Sequence, residues 1–405
     1  MKLRAHPRTT VALLAAIVVF LQVGWFTGVL TSPDPAATAH RDWIQFHRTA
    51  ERLVQGATDE IYPVGFEGDT RPEFSDGLFF LYPPFVAWVT LPLALLSALG
   101  AYLACAAAVA VVTLAAVRSV LRTLGERQPR RLLGLLWGMA SAPWNAAVIL
   151  GHLSATLLAS PALALAAWSR GNERWTGAGL GLLLAKPNWG LPVLLLLLVG
   201  RRWRMVGGFL ASAAALVVVS LPLGPDLWGD WVITMVNYRT IVTDSGATQP
   251  WRQATLFATL QSLFGRPGSD PWMMGAWLAA GGGLFGATVA VWARHGRAAP
   301  TFPRLLGVAL LAILVTNPYA YFYDALLAFP AAAALWSRDA SWRRPRLRSI
   351  ARGVTLAIWA WMHLQYFVLM NAAPSLVGLG LAAWLVLEIV DLGASDPLPP
   401  PGALR

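Results

Sequence analysis

Most of this chain is made of apolar runs about as long as a lipid bilayer is thick, and the charges between them are sorted by side. A helix needs roughly 20 apolar residues to cross the hydrocarbon core. Only helices and closed barrels satisfy their backbone polar groups there. The runs are rich in Leu, Ala and Val and lack the two-residue alternation of a barrel strand, so the chain reads as an all-α polytopic membrane protein. With the runs as spanning helices, one side receives segments 1–10, 118–131, 169–175, 200–204, 294–304, 338–352 and the tail from Glu388. That side holds 23 of the 31 Lys and Arg but 6 of the 20 Asp and Glu, a net +17 against −6 on the other side. Lys and Arg in short loops resist translocation, so the +17 side is cytoplasmic. The overall +11 needs no nucleic-acid partner to account for it.

About twelve crossings follow, with both termini cytoplasmic, and the expected location is a bacterial cell (inner) membrane. Lys2, Arg4 and Arg8 precede a first run at 11–30, and Ala37-Thr38-Ala39 has the look of a cleavage site. The run is about twice the length of a signal-peptide core, which favours an uncleaved helix. The first external loop, 31–78, contains an amphipathic stretch, Asp42–Gly56, with Trp43, Phe46, Ala50, Leu53 and Val54 at helical spacing, expected to lie along the membrane surface. Residues 79–117 are long enough to cross twice, but the five arginines from Arg118 to Arg131 require an odd number. One crossing at about 100–117, preceded by a re-entrant or interfacial helix after Tyr82-Pro83-Pro84, meets that requirement. Further crossings are expected near 132–150, 152–168, 205–222, 272–293, 305–317, 319–337, 353–371 and 374–390. Between 176 and 199 a single helix would put Arg201, Arg202 and Arg204 outside, so two short legs meeting at Lys186-Pro187-Asn188 are expected. The second external loop is 223–271. Residues 1–396 read as a single membrane domain and 397–405 as a disordered tail.

Cys105 is the sole cysteine, which excludes an intramolecular disulfide and a thiolate metal cluster. The six histidines have no metal-ligand spacing, and neither a phosphate loop nor a dinucleotide fingerprint occurs. The unusual polar residues fall on the external side. Asp42 suits a base that takes a proton from a hydroxyl, and equally a helix N-cap. Lys186, followed by the helix breaker Pro187, suits a phosphate site in a cavity, and equally a side chain snorkelling to the surface. His152 in the turn after Gly151 reads as a ligand-binding or a solvated histidine. The turn Asn317–Asp324 brings Tyr319, Tyr321 and Tyr323 together with an Asp324 that points back towards the bilayer. In the second loop Asp226, Asp230, Tyr238, Arg239, Arg252 and Gln253 lie among Trp228, Trp231 and Trp251. Such a mixture suits sugar hydroxyls and phosphate, and also an ordinary interface.

These positions fall in a familiar order. The stretches Asp42–Tyr62, Tyr82–Leu96 (YPPFVAWVTLPLALL), Gly151–Leu158 (GHLSATLL), Gly177–Pro187 (GAGLGLLLAKP) with RRWR after it, and Asn317–Pro330 (NPYAYFYDALLAFP) resemble glycosyltransferase family 87. These are the polyprenyl-phosphate-sugar-dependent membrane enzymes of the GT-C superfamily. Where mannosyltransferase members carry Ser-Pro-x-Ser-Trp-x-His-His, this chain has Asn317-Pro318 and then Tyr323-Asp324; Gly151-His152 stands where Gly-Gln is common. The resemblance implies a GT-C-like helical fold with external juxtamembrane helices, one re-entrant segment and an external active site.

It also implies roles. Asp42 matches the family's catalytic Asp, and Lys186 matches the lysine at the end of its glycine-rich helix. On that basis Lys186, with Arg239 or Arg252, is expected to hold the donor phosphate, and His152, Asn188, Gln253, Tyr321, Tyr323 and Asp324 are expected to shape the sugar or acceptor site. The donor is a polyprenyl-phosphate sugar, a hexose with mannose favoured, and the acceptor a lipid or glycan. No cofactor is called for, since Lys or Arg can stabilise a leaving phosphate, and a divalent metal stays open. Two other readings remain, a lipid transporter or flippase without covalent chemistry and an inactive scaffold. Broken helices with buried charge fit the transporter too.

Overall fold

A computed structural model describes residues 7–32, 41–62, 80–239, 249–265, 270–296, 301–337, 342–369 and 372–394. Most of the first external loop beyond residue 62, the middle of the second and the tail 397–405 lie outside them. The structure is 84% helical, and no strand occurs among the described residues.

The first expected crossing is α1, Pro7–Leu30, and the amphipathic stretch is α2, Ile44–Gln55. The apolar face of α2 is covered by protein: Phe46 and Ala50 are buried, with Phe46 against Phe80 and Tyr82. After Pro83 comes α3, Pro84–Thr90, continued as a 3-10 turn to Leu95, and then one long helix, α4, Ala98–Thr123. Ser97 starts α4 by accepting the Gly100 N–H. One long helix preceded by a short one is the arrangement that the arginine count required.

The expected crossing at 132–150 is broken. Helices α5 (Gln128–Met139) and α6 (Ala142–Leu150) meet at Ser141, the α6 cap, and bend by 57°. A 3-10 turn at Leu153–Leu158 leads into α7, Ala159–Trp168. The two legs expected around Lys186 are present as α8, Glu173–Gly181 with a 3-10 extension to Ala185, and α9, Pro187–Val199. Next come α10 (Trp203–Ser220), α11 (Asp226–Arg239), α12 (Leu256–Phe264) and α13 (Pro271–His295). Among the described residues, the stretch expected as the second external loop carries two α-helices. α12 escapes the sequence reading because its nine residues lie among turn formers, yet its Leu256, Phe257 and Ala258 are buried.

At the centre stands α14, Phe302–Thr316, buried on nearly every face, as a helix apolar all round should be. A 3-10 turn, Phe322–Ala328, leads into α15, Phe329–Trp336. The last hairpin is α16, Pro345–Leu364, ending in a π-helical turn at Gln365–Leu369, and α17, Val377–Gly393. The last crossing, expected to end near residue 390, continues as helix to Gly393. Glu388 and Asp391 are buried on Arg304 of α14, with N–O distances of 2.8–2.9 Å. Backbone N–H groups of Arg343 and Arg344 also donate to Asp391. Carboxylates this deep stay charged only where donors surround them.

Among the described residues, three helices are long and apolar enough to cross a membrane alone: α4, α10 with its extension to Leu223, and α13. The bent α5–α6 pair makes a fourth. Shorter apolar helices of 10–17 residues, among them α9 and α14, fill the space between.

Candidate active site

The glycine-rich α8 places Lys186. A Cβ on Gly177 would fall 1.9 Å from the Met205 carbonyl oxygen of α10, so the two backbones touch and only glycine fits. The leg then ends at Lys186, whose backbone is extended (φ −128°, ψ 95°), as a residue before proline prefers. Its side chain leaves the helix line, and Nζ lies 2.7 and 2.9 Å from the two carboxylate oxygens of Asp324. This pair, in which Asp324 is 1% exposed, answers why an aspartate points into the molecule. Asp324 also accepts the Tyr321 N–H at 3.0 Å and faces the Ser154 hydroxyl at 3.5 Å.

His152 is buried, not a solvated loop histidine. Its Nδ1 accepts the Ser154 N–H at 3.3 Å and lies 2.8 Å from Ser154 Oγ. Because Nδ1 accepts from an amide, the proton of the neutral ring sits on Nε2. Tyr323 stacks on this ring at 4.1 Å, and Tyr321 stacks on Tyr323 at 5.6 Å. The three rings form a column, and Lys186 Nζ lies 5.6 Å from the Tyr323 centroid.

Gly151 brings α2 to this column. Its φ of +60° ends α6, and a Cβ there would stand 3.1 Å from Trp43 Cβ. Trp43, not Asp42, occupies the α2 capping position. The Asp42 carboxylate is thus left for other work. Phe46 packs edge-on against His152 at 5.7 Å. Burial pushes the Asp42 carboxyl up to about 6, with Arg252 and then Lys186 pulling the other way.

Arg252 arrives through a backbone bridge. Gln253 pairs antiparallel with Tyr321, and the Ala254 N–H donates to the Ala320 carbonyl at 3.1 Å. The segment around Gln253 is thereby tied to the tyrosine turn. The polar group expected in the second external loop divides in two. Trp228 and Trp231 pack together near Phe85, while Trp251, Arg252 and Gln253 go to Tyr321.

Of the expected residues, Asp42, Lys186, Arg252, His152, Gln253, Tyr321, Tyr323 and Asp324 are therefore neighbours. Asn188 is exposed in the first turn of α9, apart from these buried contacts. Arg239 ends α11, and its side chain lies outside the described residues. Three neighbours were not anticipated. Ser154 follows His152 by two residues, Tyr82 shares a hydrogen bond with Ser154, and Tyr366 comes from the last hairpin. Ser154 lies in the stretch GHLSATLL and Tyr82 opens YPPF, so both carry a local signal, whereas Tyr366 carries none. Among the described residues no three His, Cys, Asp or Glu side chains group as metal ligands.

These contacts thus bring together a carboxyl group whose pKa burial raises to about 6, two cations and a column of aromatic rings. The model of glycosyltransferase family 87 matches residues 80–318, more than half of the chain. The chain belongs to glycosyltransferase family 87. It is therefore a membrane glycosyltransferase, acting on a donor and an acceptor. No curated protein matches the chain. The family match includes His152, Lys186, Arg252 and Gln253; Asp42, Tyr321, Tyr323 and Asp324 lie outside it and reach the same pocket through the fold.

Proposed function

We propose that this family 87 enzyme moves a hexose, mannose-like, from a polyprenyl-phosphate donor to a lipid or glycan acceptor at the external face of a bacterial cell membrane. The observation that carries the reading is that Trp43, next to Asp42, packs on Gly151 beside the ring column that Lys186 faces, while the Gln253–Tyr321 bridge brings Arg252 to the same column. A carboxylate base and two cations brought together suit this reaction.

In the proposed step Asp42 takes the proton of the acceptor hydroxyl as its oxygen forms a bond to the anomeric carbon. The bond from that carbon to the phosphate oxygen breaks, and its electron pair leaves with polyprenyl phosphate. Direct attack inverts the configuration. Arg252 and Lys186 meet the negative charge that develops on the leaving oxygen, and Asp42 passes its proton to solvent. Asp324 acts through Lys186 by fixing the ammonium, while His152, Tyr321, Tyr323 and Gln253 surround the sugar. The membrane domain of residues 1–396 carries all of these groups in a GT-C-like arrangement.

Purified protein incubated with labelled polyprenyl-phosphate mannose and membrane lipid extract tests the reading. Release of polyprenyl phosphate into a new glycosylated product is expected, and translocation without product would favour the transporter. Loss of the base should reduce the rate about 10²–10⁴-fold in Asp42→Asn. Folded Asp42→Asn and Lys186→Ala proteins with full transfer would eliminate the mechanism. Deletion of the gene, followed by mass spectrometry of envelope lipids and glycans, identifies the sugar.

A further inference from the structure

Beside Arg252 lie two buried polar atoms with no hydrogen-bond partner, the indole Nε1 of Trp251 and the side-chain Oε1 of Gln253. Gln253 is 1% exposed. Buried donors and acceptors are nearly always paired, and an unpaired one raises the question of what completes it. The two atoms have opposite needs. Nε1 requires an acceptor, and Oε1 requires a donor. An ionised phosphodiester or carboxylate accepts only, so it can serve Trp251 and not Gln253. A hydroxyl-bearing ligand serves both.

The third wall comes from a part of the chain that the family match does not include. The π-helical turn Gln365–Leu369 interrupts the end of α16 and carries Tyr366. Such turns displace a side chain from the ordinary helical position and recur at functional sites. Tyr366 stacks on Phe322 at 5.1 Å, with the rings 22° apart, and lies 6.3 Å from the Trp251 ring. Its side chain is partly exposed, and it interacts electrostatically with Asp42 and Arg252. A phenol both donates and accepts, as a sugar hydroxyl does, and an aromatic ring offers a face to the C–H side of a pyranose or furanose.

We propose that Tyr366, Trp251 and Gln253 form a monosaccharide subsite next to the phosphate cations, with Tyr366 as a substrate-contacting residue. The proposal deepens the transferase reading and rests on it for the identity of the ligand as the donor's sugar. Arg252 then sits at the junction, one residue from each of the two unpaired atoms, where the phosphate ends and the sugar begins. Part of the sugar specificity of this chain comes from its last hairpin.

The test uses purified full-length protein and water-soluble probes: inorganic phosphate alone and a panel of hexose and pentose 1-phosphates, with affinities read by thermophoresis. At least one sugar phosphate should bind wild type about tenfold or more tighter than phosphate does. Tyr366→Phe and Gln253→Leu should each remove about fivefold of that advantage, the worth of a neutral hydrogen bond, and leave phosphate affinity unchanged. Unchanged phosphate affinity also certifies that the variants fold. The subsite is overturned if no sugar phosphate outcompetes inorganic phosphate, or if both variants keep the full advantage. Sugar-selective binding that the variants lose, with no transfer from any polyprenyl-phosphate sugar, would sink the transferase reading and leave the subsite standing. Active wild type whose KM is unmoved by Tyr366→Phe would do the reverse.

Discussion

Asp42 combines two properties that a folded protein normally keeps apart, a carboxyl group and a half-buried place among aromatic rings. Its pKa, raised to about 6 from 3.8, has consequences of opposite benefit. As a base it must be ionised, so kcat/KM should climb about tenfold per pH unit up to about 6 and then level off. A base of ordinary pKa would level off two units lower, which a pH–rate profile distinguishes. For stability the sign is reversed. Between about pH 4 and 6 the folded protein binds the proton that the unfolded chain releases, so stability falls as pH rises through that window. Asp42→Asn should therefore melt higher than wild type at pH 7.5, by a smaller margin at pH 4, while losing transfer. The Lys186–Asp324 pair allows a second test. Either Lys186→Met or Asp324→Leu strands a buried charge and should cost about 3–5 kcal/mol in thermal or denaturant unfolding. The double variant should recover most of that stability and none of the activity, since it restores neutrality without restoring the phosphate-binding ammonium.

Among elements, the contrast between the two broken spans is instructive. The break at Lys186 is legible because a charge and a proline stand together and the arginines after it forbid a single crossing. The break at Ser141 carries its own signal, a serine cap with Pro143 in the first turn, but the run around it is apolar enough to read as one helix. Its loose end is tied by His363, whose Nε2 lies 2.6 Å from the Ala140 carbonyl, a partner 223 residues away. Helix α8 shows how an element transmits position to a residue it does not contain. Gly177→Ala puts a methyl group into the Met205 carbonyl and must separate α8 from α10, moving Lys186. Lower melting temperature and weaker phosphate binding are expected together. Gly207→Ala, where nothing lies within 4 Å, is the control; it should be neutral or gain up to about 1 kcal/mol from helix propensity.

For the whole molecule, the governing expectation is that Asp42, His152, Lys186, Arg252 and Asp324 share the external face and the arginine-rich segments the other. Single cysteines in a Cys105→Ala background test it with an impermeant thiol reagent on intact cells. Glu60→Cys and Ser245→Cys should label, whereas Arg127→Cys and Arg343→Cys should label only after lysis. Labelling of Arg127→Cys from outside would mean that residues 79–117 cross twice, and the site would then need another topology.

The sequence alone settled the helical class and the resemblance to the family, and it singled out most of the residues that converge on one pocket. Apolar run length and the distribution of arginines are properties of chain order, and a bilayer reads them directly. Tertiary structure decided what those residues touch. Lys186 and Asp324 are 138 residues apart, and nothing local in either states that they form an ion pair. The same holds for Arg304 with Glu388 and Asp391, which charge counting placed in two separate segments and packing joins as a buried ion-pair cluster. Tyr366 is the extreme case. An aromatic residue near the end of an apolar helix has no distinguishing pattern, and only a π-helical turn and the neighbours it reaches set it apart. Hydrophobic length is a one-dimensional quantity and can be read along the chain; partnership between distant polar groups depends on which helices pack, and packing is decided in three dimensions.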